Sequence, residues 1–153
     1  MITYKNSKRI LKKGFIKIKD ENILSINSLN RVSSSNIYSK FNYPSGDNAA
    51  FDGYAINSND SKNIKKNQSK VFRIIGSISA GKKPFKKKIK KFETVEIMTG
   101  GIIPKCFDTI IPIEKINFYP NKKNPKSILI NKRVGKYNHV RFAGSDYKKK
   151  ELV

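Results

Sequence analysis

Short runs of β-branched and aromatic residues, separated by polar turns, dominate the hydrophobic pattern of this chain. Runs bounded by Gly, Pro, Asn or Asp are typical of β-strands. The runs with the clearest pattern are residues 54–56, 71–78, 94–98, 109–114 and 127–130. Many short strands spaced by turns favour a small barrel or sandwich.

The N-terminal part of the chain carries weaker signals. Residues 7–13 predict a short helix with Ser7 as its N-cap and with Ile10 and Leu11 on one face. Further short elements are predicted as strands at 15–18 and 23–26 and a helical turn at 29–32.

Polar segments separate the predicted strands of the central region. Residues 57–70 predict a loop, and residues 121–126 predict a turn. The lysine-rich segment 82–91 predicts a solvated loop with Phe85 and Ile89 packed inward. Together with the helix near the start and the tail 135–153, these patterns predict an α+β, mainly β fold. It has a small β-barrel-like lobe and a smaller second element.

The net charge of +22, from 33 Lys and Arg against 11 Asp and Glu, raises the question of a nucleic-acid or membrane partner. Only five of these cations are arginine, the residue whose planar fork suits phosphate and base recognition. Lysine is accompanied by many isoleucines and asparagines, as expected from an AT-rich coding sequence. Both a compositional origin and a functional anion surface stay open, and nucleic acid is not the expected partner.

Cysteine usage and hydropathy indicate a compartment. The single cysteine, Cys106, cannot form an internal disulfide, which fits a reducing environment. No apolar run approaches the roughly 20 residues that cross a bilayer, and residues 1–13 lack the apolar stretch of a secretory signal. The sequence predicts a cytoplasmic, soluble protein without a membrane partner.

Two glycine-containing loops carry the candidate chemistry. The first is Asp-Asn-Ala-Ala-Phe-Asp-Gly-Tyr-Ala at 47–55, and the second is Ile-Met-Thr-Gly-Gly-Ile-Ile-Pro at 97–104. A calcium loop is excluded for the first, because Ala and Phe occupy ligand positions and Asn59 stands where a bidentate Glu is needed. By itself, Asp52-Gly53 is also compatible with a simple turn.

In the second loop, adjacent glycines let the backbone approach a ligand and aim successive N–H groups at it. We therefore expect this loop to hold an anionic small molecule. The Thr99 hydroxyl can donate to an oxyanion or accept from a pterin-type ring. The segment is not a phosphate-binding P-loop, because the spacing and the final Gly-Lys-Ser/Thr are missing.

The order of these motifs resembles the N-terminal part of the molybdopterin molybdenumtransferases, the MoeA family related to the gephyrin E-domain. That family typically reads Pro, a short gap, then Asp-Asn-Ser-Ala-Met-Asp-Gly-Tyr-Ala, where this chain has Pro44 and residues 47–55. Its later motifs match in the same order. The matching segments are Asn30-Arg31-Val32, Ala80-Gly81, Ile97 to Gly101 with Pro104, Asp108 to Glu114, and Gly135 to Asp146.

The resemblance implies a fold and a division into lobes. Residues 1–37 and 136–153 would form an incomplete N-terminal and linker lobe, and residues 38–135 the β-barrel-like lobe. The nucleotide- and pterin-binding domain and the C-terminal domain of the family have no counterpart in this sequence.

The resemblance also implies an activity: insertion of molybdate into adenylylated molybdopterin, with Mg²⁺ and release of AMP, by a homodimer with a composite cleft. Asp52 and Thr99 fall on catalytic positions, with a turn-capping Asp and a strand-end Thr as the structural alternatives. No metal ligand is expected within this chain. Substrate-binding positions implied by the match are Asp47, Asn48, Gly53, Tyr54, Met98, Gly100, Gly101 and Glu114.

Departures from the family pattern limit this implication. Ala49 replaces a serine, Phe51 a methionine and Ser145 a glutamate, so one hydroxyl contact is expected to be lost. We expect this chain alone not to catalyse metal insertion. A non-enzymatic basic β-module binding RNA or anionic surfaces is one alternative function, and an inactive family remnant is another. His139 and Cys106 have no metal-ligand spacing around them and are expected to be ordinary packing or surface residues.

Overall fold

The computed structural model of the protein describes residues 1–14, 18–82, 85 and 87–153. By its internal contacts the chain divides into two units, Met1–Ile37 and Tyr38–Val153. Residues 136–153, which the resemblance assigns to the lobe of the chain ends, lie in the second unit. This grouping does not test the assignment of domains, which stays a prediction.

Among its described residues, the first unit has one α-helix, α1, at Tyr4–Lys13. It begins before the predicted start, because Thr3 and not Ser7 is the N-cap: the Asn6 N–H donates to Thr3 Oγ1 at 3.4 Å. The helix ends where the Gly14 N–H donates to the Ile10 carbonyl at 3.0 Å. Lys12 and Lys13 lie in the last turn, where cations favour the helix dipole.

The other elements predicted for the first unit differ from the structure. The strand predicted at 15–18 falls mostly on residues 15–17, which lie outside the described residues. The strand predicted at 23–26 is wrong, since Ser25–Asn27 forms a 3₁₀ turn. The helical turn predicted at 29–32 is wrong: the Arg31 N–H donates to the Ser28 carbonyl at 3.0 Å, but Asn30 has a φ of +62°, so the turn is not helical. No strand of a neighbouring segment pairs with this stretch in the described part of the unit.

The described residues of the second unit form a six-stranded mixed sheet of β2 Gly53–Ile56, β3 Lys70–Ile78, β4 Glu93–Ile97, β5 Thr109–Pro112, β6 Asn117–Tyr119 and β7 Ser127–Ile130. The strand order is β5-β2-β4-β3-β7-β6. β3 and β4 run parallel, and the other neighbours are antiparallel. The predicted runs between residues 54 and 130 thus correspond to β2, β3, β4, β5 and β7. The predicted run 109–114 ends early, because Ile113–Lys115 forms a 3₁₀ turn.

Apolar side chains cover both faces of this sheet. In β2, Tyr54 and Ile56 pack in one core cluster and Ala55 in the other, as expected from side chains that alternate between faces. β3 changes sides: Ile74 packs against the first of these clusters and Ile78 belongs to the second. A register shift between Ile74 and Ser77 inserts the extra residue that reverses the alternation.

A small second sheet pairs β1, Asn48–Ala49, with β8, Val140–Arg141. It fastens the first glycine-containing loop to the tail of the chain. Two-residue strands leave no periodic pattern, and the sequence analysis did not find them. It also missed β6, which has three residues.

The structure confirms the predicted fold class: the protein is mainly β, and the described residues contain one α-helix. The prediction that Phe85 and Ile89 pack inward is confirmed, because both contact the core cluster that contains Ala55. The turn at 121–126 is confirmed by the Asn121 side chain, whose Oδ1 accepts from the Lys123 and Asn124 N–H groups. Within the described ranges, no helix has the length and apolar character needed to cross a membrane.

Gly53 allows the close approach of β2 and β5, which gives a test of the sheet. A Cβ at Gly53 would lie 2.1 Å from the Ile111 carbonyl oxygen, a backbone atom that cannot move aside cheaply. We expect Gly53→Ala to lower the free energy of unfolding by about 3 kcal/mol in chemical denaturation. At Gly46 the added Cβ would meet only the tip of the Ile102 side chain, at 3.4 Å. The control Gly46→Ala should therefore cost less than about 1 kcal/mol, and equal costs for the two variants would contradict this role of Gly53.

Candidate functional site

The two glycine-containing loops lie side by side in the structure. The Ala49 N–H donates to the Gly101 carbonyl at 3.0 Å, and the Gly100 N–H donates to the Ala49 carbonyl at 2.8 Å. The Ile103 N–H also donates to the Asp47 carbonyl, at 2.9 Å. Pairing of β2 with β4 brings the loops together, because Gly53 lies opposite Ile97.

Asp52 and Thr99 are in direct contact. Asp52 Oδ1 accepts two hydrogen bonds of 2.7 Å, one from the Thr99 backbone N–H and one from its hydroxyl. Both residues are exposed. The backbone donor, followed by the hydroxyl, lowers the pKa of Asp52 below its ordinary value of 3.8. The carboxylate is therefore ionised at neutral pH.

These contacts decide which hydrogen-bonding groups remain for a ligand. Asp52 Oδ2 has no hydrogen-bond partner among the described residues. The Thr99 hydroxyl donates its one O–H hydrogen bond to Asp52, so toward a ligand its oxygen can only accept. Together the pair presents acceptors, which suit N–H groups or a cation and do not suit an oxyanion.

The expected nest of backbone N–H groups in the second loop is absent. The Thr99 N–H donates to Asp52, the Gly100 N–H to the Ala49 carbonyl, and the Gly101 N–H to the Met98 carbonyl at 2.8 Å. None of these three donors is free for an anion. The expectation that this loop holds an anion through successive N–H groups is therefore wrong, because the neighbouring loop binds the first two donors and the loop's own Met98 carbonyl binds the third.

Backbone conformation and close packing explain why glycine occupies three positions of the site. Gly100 has a φ of +79°, a conformation that L side chains rarely adopt. Gly101 is packed so closely that a Cβ would lie 2.9 Å from both Ile97 Cγ1 and the Met98 carbonyl. Gly53 is required by β5, as described above. Substrate contacts predicted for these three residues stay predictions.

Three more of the predicted site residues lie in the same two loops. Asp47 is exposed, and its Oδ1 accepts from the Ala143 N–H at 2.9 Å, which ties the first loop to the tail. Asn48 is 7% exposed, and its Oδ1 is buried without a hydrogen-bond partner among the described residues. Met98 is partly buried, and its N–H donates to the Ile78 carbonyl at 2.9 Å. Their substrate contacts also stay predictions.

Tyr54 and Glu114 do not take part in the hydrogen bonds between Asp52 and Thr99. Tyr54 is 2% exposed and packs edge-to-face on Phe118. Burial, together with the charge of Glu96, raises the pKa of Tyr54 to about 12, so the phenol is neutral and acts as a core residue. Glu114 is exposed in the 3₁₀ turn Ile113–Lys115, whose first N–H donates to the Asp52 carbonyl at 3.0 Å. Neither residue's predicted substrate contact is tested by this placement.

The tail of the chain contributes contacts that the sequence analysis missed. The His139 carbonyl accepts from the Ala50 N–H at 2.9 Å, and its ring lies edge-to-face on Phe51 with centroids 4.9 Å apart. Arg141, opposite Asn48 in the β1–β8 pair, forms an ion pair with Asp146 that lowers the pKa of that carboxyl. The family motif pointed to this segment, but local sequence gives no signal for its contact with the first loop.

The described residues contain neither an activated thiol at Cys106 nor a cluster of metal ligands. Desolvation by neighbouring atoms raises the pKa of the Cys106 thiol above its ordinary value, so the thiol is protonated and weakly nucleophilic. In the described ranges, no group of three or more His, Cys, Asp or Glu side chains is arranged to hold a metal ion.

The hydrogen bonds to Asp52 predict a pH-dependent difference between two variants. Thr99→Val removes the hydroxyl donor and should raise the pKa of Asp52 toward 3.8, whereas Thr99→Ser should leave it low. NMR titration of the Asp52 carboxyl carbon measures the pKa in each variant. Because the folded pKa is depressed, the stabilisation is present above the ordinary pKa and is lost as the pH falls through the folded value. An Asp52 pKa that is the same in Thr99→Val and the wild type would contradict the contact.

Comparisons with known proteins agree with the resemblance. The family model described as MoeA N-terminal region (domain I and II) matches residues 2–153. The molybdopterin molybdenumtransferase of Haemophilus influenzae is 33% identical over 125 residues, which cover 81% of this chain and 28% of that protein. The protein of the same name from Bacillus subtilis is 27% identical over 127 residues, which cover 82% of this chain and 29% of that protein.

A solved structure has the same fold as this chain. The molybdopterin biosynthesis moeA protein from Pyrococcus horikoshii OT3 superposes with a TM-score of 0.83 at 26% identity, covering 100% of this chain and 39% of that one. By the coverages of 28% and 29% given above, this chain spans less than a third of the length of the Haemophilus influenzae and Bacillus subtilis proteins. Since the family model covers nearly every residue, the chain belongs to the MoeA N-terminal region family.

Proposed function

We propose that this chain is the N-terminal portion of an enzyme of molybdenum-cofactor biosynthesis that inserts molybdate into adenylylated molybdopterin and releases AMP. In this proposal the chain forms the dimer and one wall of the substrate cleft. Family membership and the names of the relatives support the reaction. The rest of the cleft would come from segments that this chain does not contain, and the chain alone would be inactive.

The Asp52–Thr99 contact is the observation that carries this proposal. It leaves Asp52 Oδ2 and the Thr99 hydroxyl oxygen as neighbouring acceptors at the surface. A pterin ring carries amino and ring N–H groups that match such acceptors. Molybdate carries only oxygen acceptors, so this pair does not suit it. We therefore assign the pterin to this wall and the molybdate to donors elsewhere in the cleft.

The described residues do not provide a magnesium site on their own. Mg²⁺ prefers near-octahedral oxygen coordination, and the Asp52–Thr99 pair offers one free carboxylate oxygen and one hydroxyl oxygen. No cluster of metal ligands lies in the described part of the chain. If the reaction uses magnesium, most of its ligands come from substrate, water or other segments, and no step is assigned to the ion here.

The two departures in the first loop have different consequences. The Ala49 side chain is 1% exposed and belongs to a core cluster. A serine there would face the core, so the expected loss of a substrate contact at this position is not supported. Phe51 is 52% exposed, beside Asp52, and is held by His139. Its ring offers a flat apolar surface next to the proposed pterin position.

Asp52 gives a direct test of the proposed reaction. Residues 2–153 can replace the matching segment of the Haemophilus influenzae relative, and AMP release from adenylylated molybdopterin can be measured with molybdate and magnesium. We expect Asp52→Asn to slow AMP release about 100-fold, because substrate orientation depends on the carboxylate. The matched control is Asp20→Asn, an exposed carboxylate of the first unit, which should leave the rate unchanged. A folded chimera that releases no AMP, or an Asp52→Asn chimera at the parent rate, would contradict the proposal.

The proposed homodimer has a separate test. The first unit exposes apolar side chains, with Ile26 at 82% and Leu29 at 83% exposure, and burial of such surface drives association. We expect sedimentation velocity to show a dimer, and Ile26→Asp with Leu29→Asp to shift it to monomer. Asn22→Asp with Asn27→Asp adds the same charge to the same segment and should leave the dimer intact. A wild-type chain that stays monomeric over the concentration series would contradict this role for the first unit.

A further inference from the structure

A cavity of about 670 Å³ lies at the end of the main sheet, and it shares no residue with the Asp52–Thr99 site. Lys70 is paired with Ile130 in β3 and β7. The segment 64–69 that enters β3 and the segment 131–133 that leaves β7 therefore form neighbouring walls. Asn117 lies opposite Leu129 in the β6–β7 pair, and these two complete the lining. The residues that line the cavity are Ile64, Lys65, Lys66, Asn67, Gln68, Ser69, Asn117, Leu129, Asn131, Lys132 and Arg133.

One buried residue, Ser61, accepts hydrogen bonds from both walls. Ser61 is fully buried, and its hydroxyl oxygen accepts from the Val134 N–H at 2.9 Å. Its carbonyl accepts from the Ile64 N–H at 3.2 Å, and the Gln68 N–H closes a turn onto the Lys65 carbonyl at 3.1 Å. The backbone of both walls is thus tied to the sheet, whereas most of the side chains that line the cavity are exposed, so the cavity is open to solvent.

The charge of the lining has a single sign. Lys65, Lys66, Lys132 and Arg133 line the cavity, and no carboxylate does. None of these four cations is in an ion pair within the part of the chain that the structure describes. Four cations around one concave volume favour a ligand with several negative charges close together. Phosphate groups suit Lys as a point charge and Arg as a planar fork.

The remaining lining has the character of a site for an organic group. The side-chain amides of Asn67, Gln68, Asn117 and Asn131 supply both donors and acceptors. Ile64 and Leu129 are the apolar members of the lining, and both are partly buried. Polar and charged residues outnumber these two in the lining, so a ligand at this site would be bound mainly through polar contacts.

We propose that this cavity binds an oligophosphate ester of nucleotide size. The cations hold the phosphates, the amides bind the edge of a heterocycle, and the apolar side chains contact its face. This site is independent of the proposed reaction, since none of its residues belongs to the Asp52–Thr99 site.

Calorimetric titration of the full chain with ATP, inorganic tripolyphosphate and orthophosphate tests the proposal. We expect saturable binding of ATP and tripolyphosphate and much weaker binding of orthophosphate. Lys132→Gln with Arg133→Gln should weaken both oligophosphates about tenfold or more. Lys148→Gln with Lys149→Gln removes the same charge from exposed positions outside the lining and should change neither. Asn131→Ala should weaken ATP and leave tripolyphosphate unchanged, because only ATP carries a heterocycle.

Several results would overturn the proposal. Equal loss of affinity in the two double variants would show that net charge, and not the cavity, attracts the anions. Absence of saturable ATP binding would exclude the site. If Asn131→Ala has no effect on ATP, the contact with the heterocycle is wrong. A single-stranded RNA oligomer that binds more tightly than ATP, with a steep dependence on salt, would assign the cations to a polymer.

Discussion

One carboxylate oxygen, Asp52 Oδ1, sets the geometry of the candidate site. By accepting both the N–H and the hydroxyl of Thr99, it joins the loop before β2 to the loop after β4. The antiparallel pairing of Gly53 with Ile97 makes this contact possible. The same bonds use the donors of Thr99, while the Gly100 N–H donates to the Ala49 carbonyl of the neighbouring loop and the Gly101 N–H to the Met98 carbonyl of its own loop. This wall therefore presents hydrogen-bond acceptors and not donors, and it complements the N–H groups of a ligand.

Much of the β architecture could be predicted from the sequence, for a physical reason. Strands such as β2 and β5 are buried along their whole length, so they require continuous apolar or β-branched residues that a reader of the sequence can see. β1 and β8 consist of two residues each and depend on one another across the chain. Their pairing leaves no local pattern. The segment 23–26 has strand-like residues but no partner strand in the described part of its unit, and propensity alone misassigned it.

The candidate site was only partly predictable. The family resemblance implied that Asp52 and Thr99 belong to one site. Their side chains are in direct contact, and their catalytic role stays a prediction. The direction of each hydrogen bond depends on which loop lies next to which, and sequence does not contain that information. Gly53, Gly100 and Gly101 illustrate the point, since their roles lie in close packing and backbone conformation. The contact of His139 with the first loop joins residues far apart in the chain, so no local sequence pattern predicts it.

The irregularity in β3 links the two halves of the interior. Because the strand crosses from one apolar cluster to the other between Ile74 and Ile78, a shift along its axis disturbs both at once. Neither half can loosen while the other stays intact. The second unit should therefore lose its structure in one cooperative step, although its hydrophobic interior is divided by a sheet.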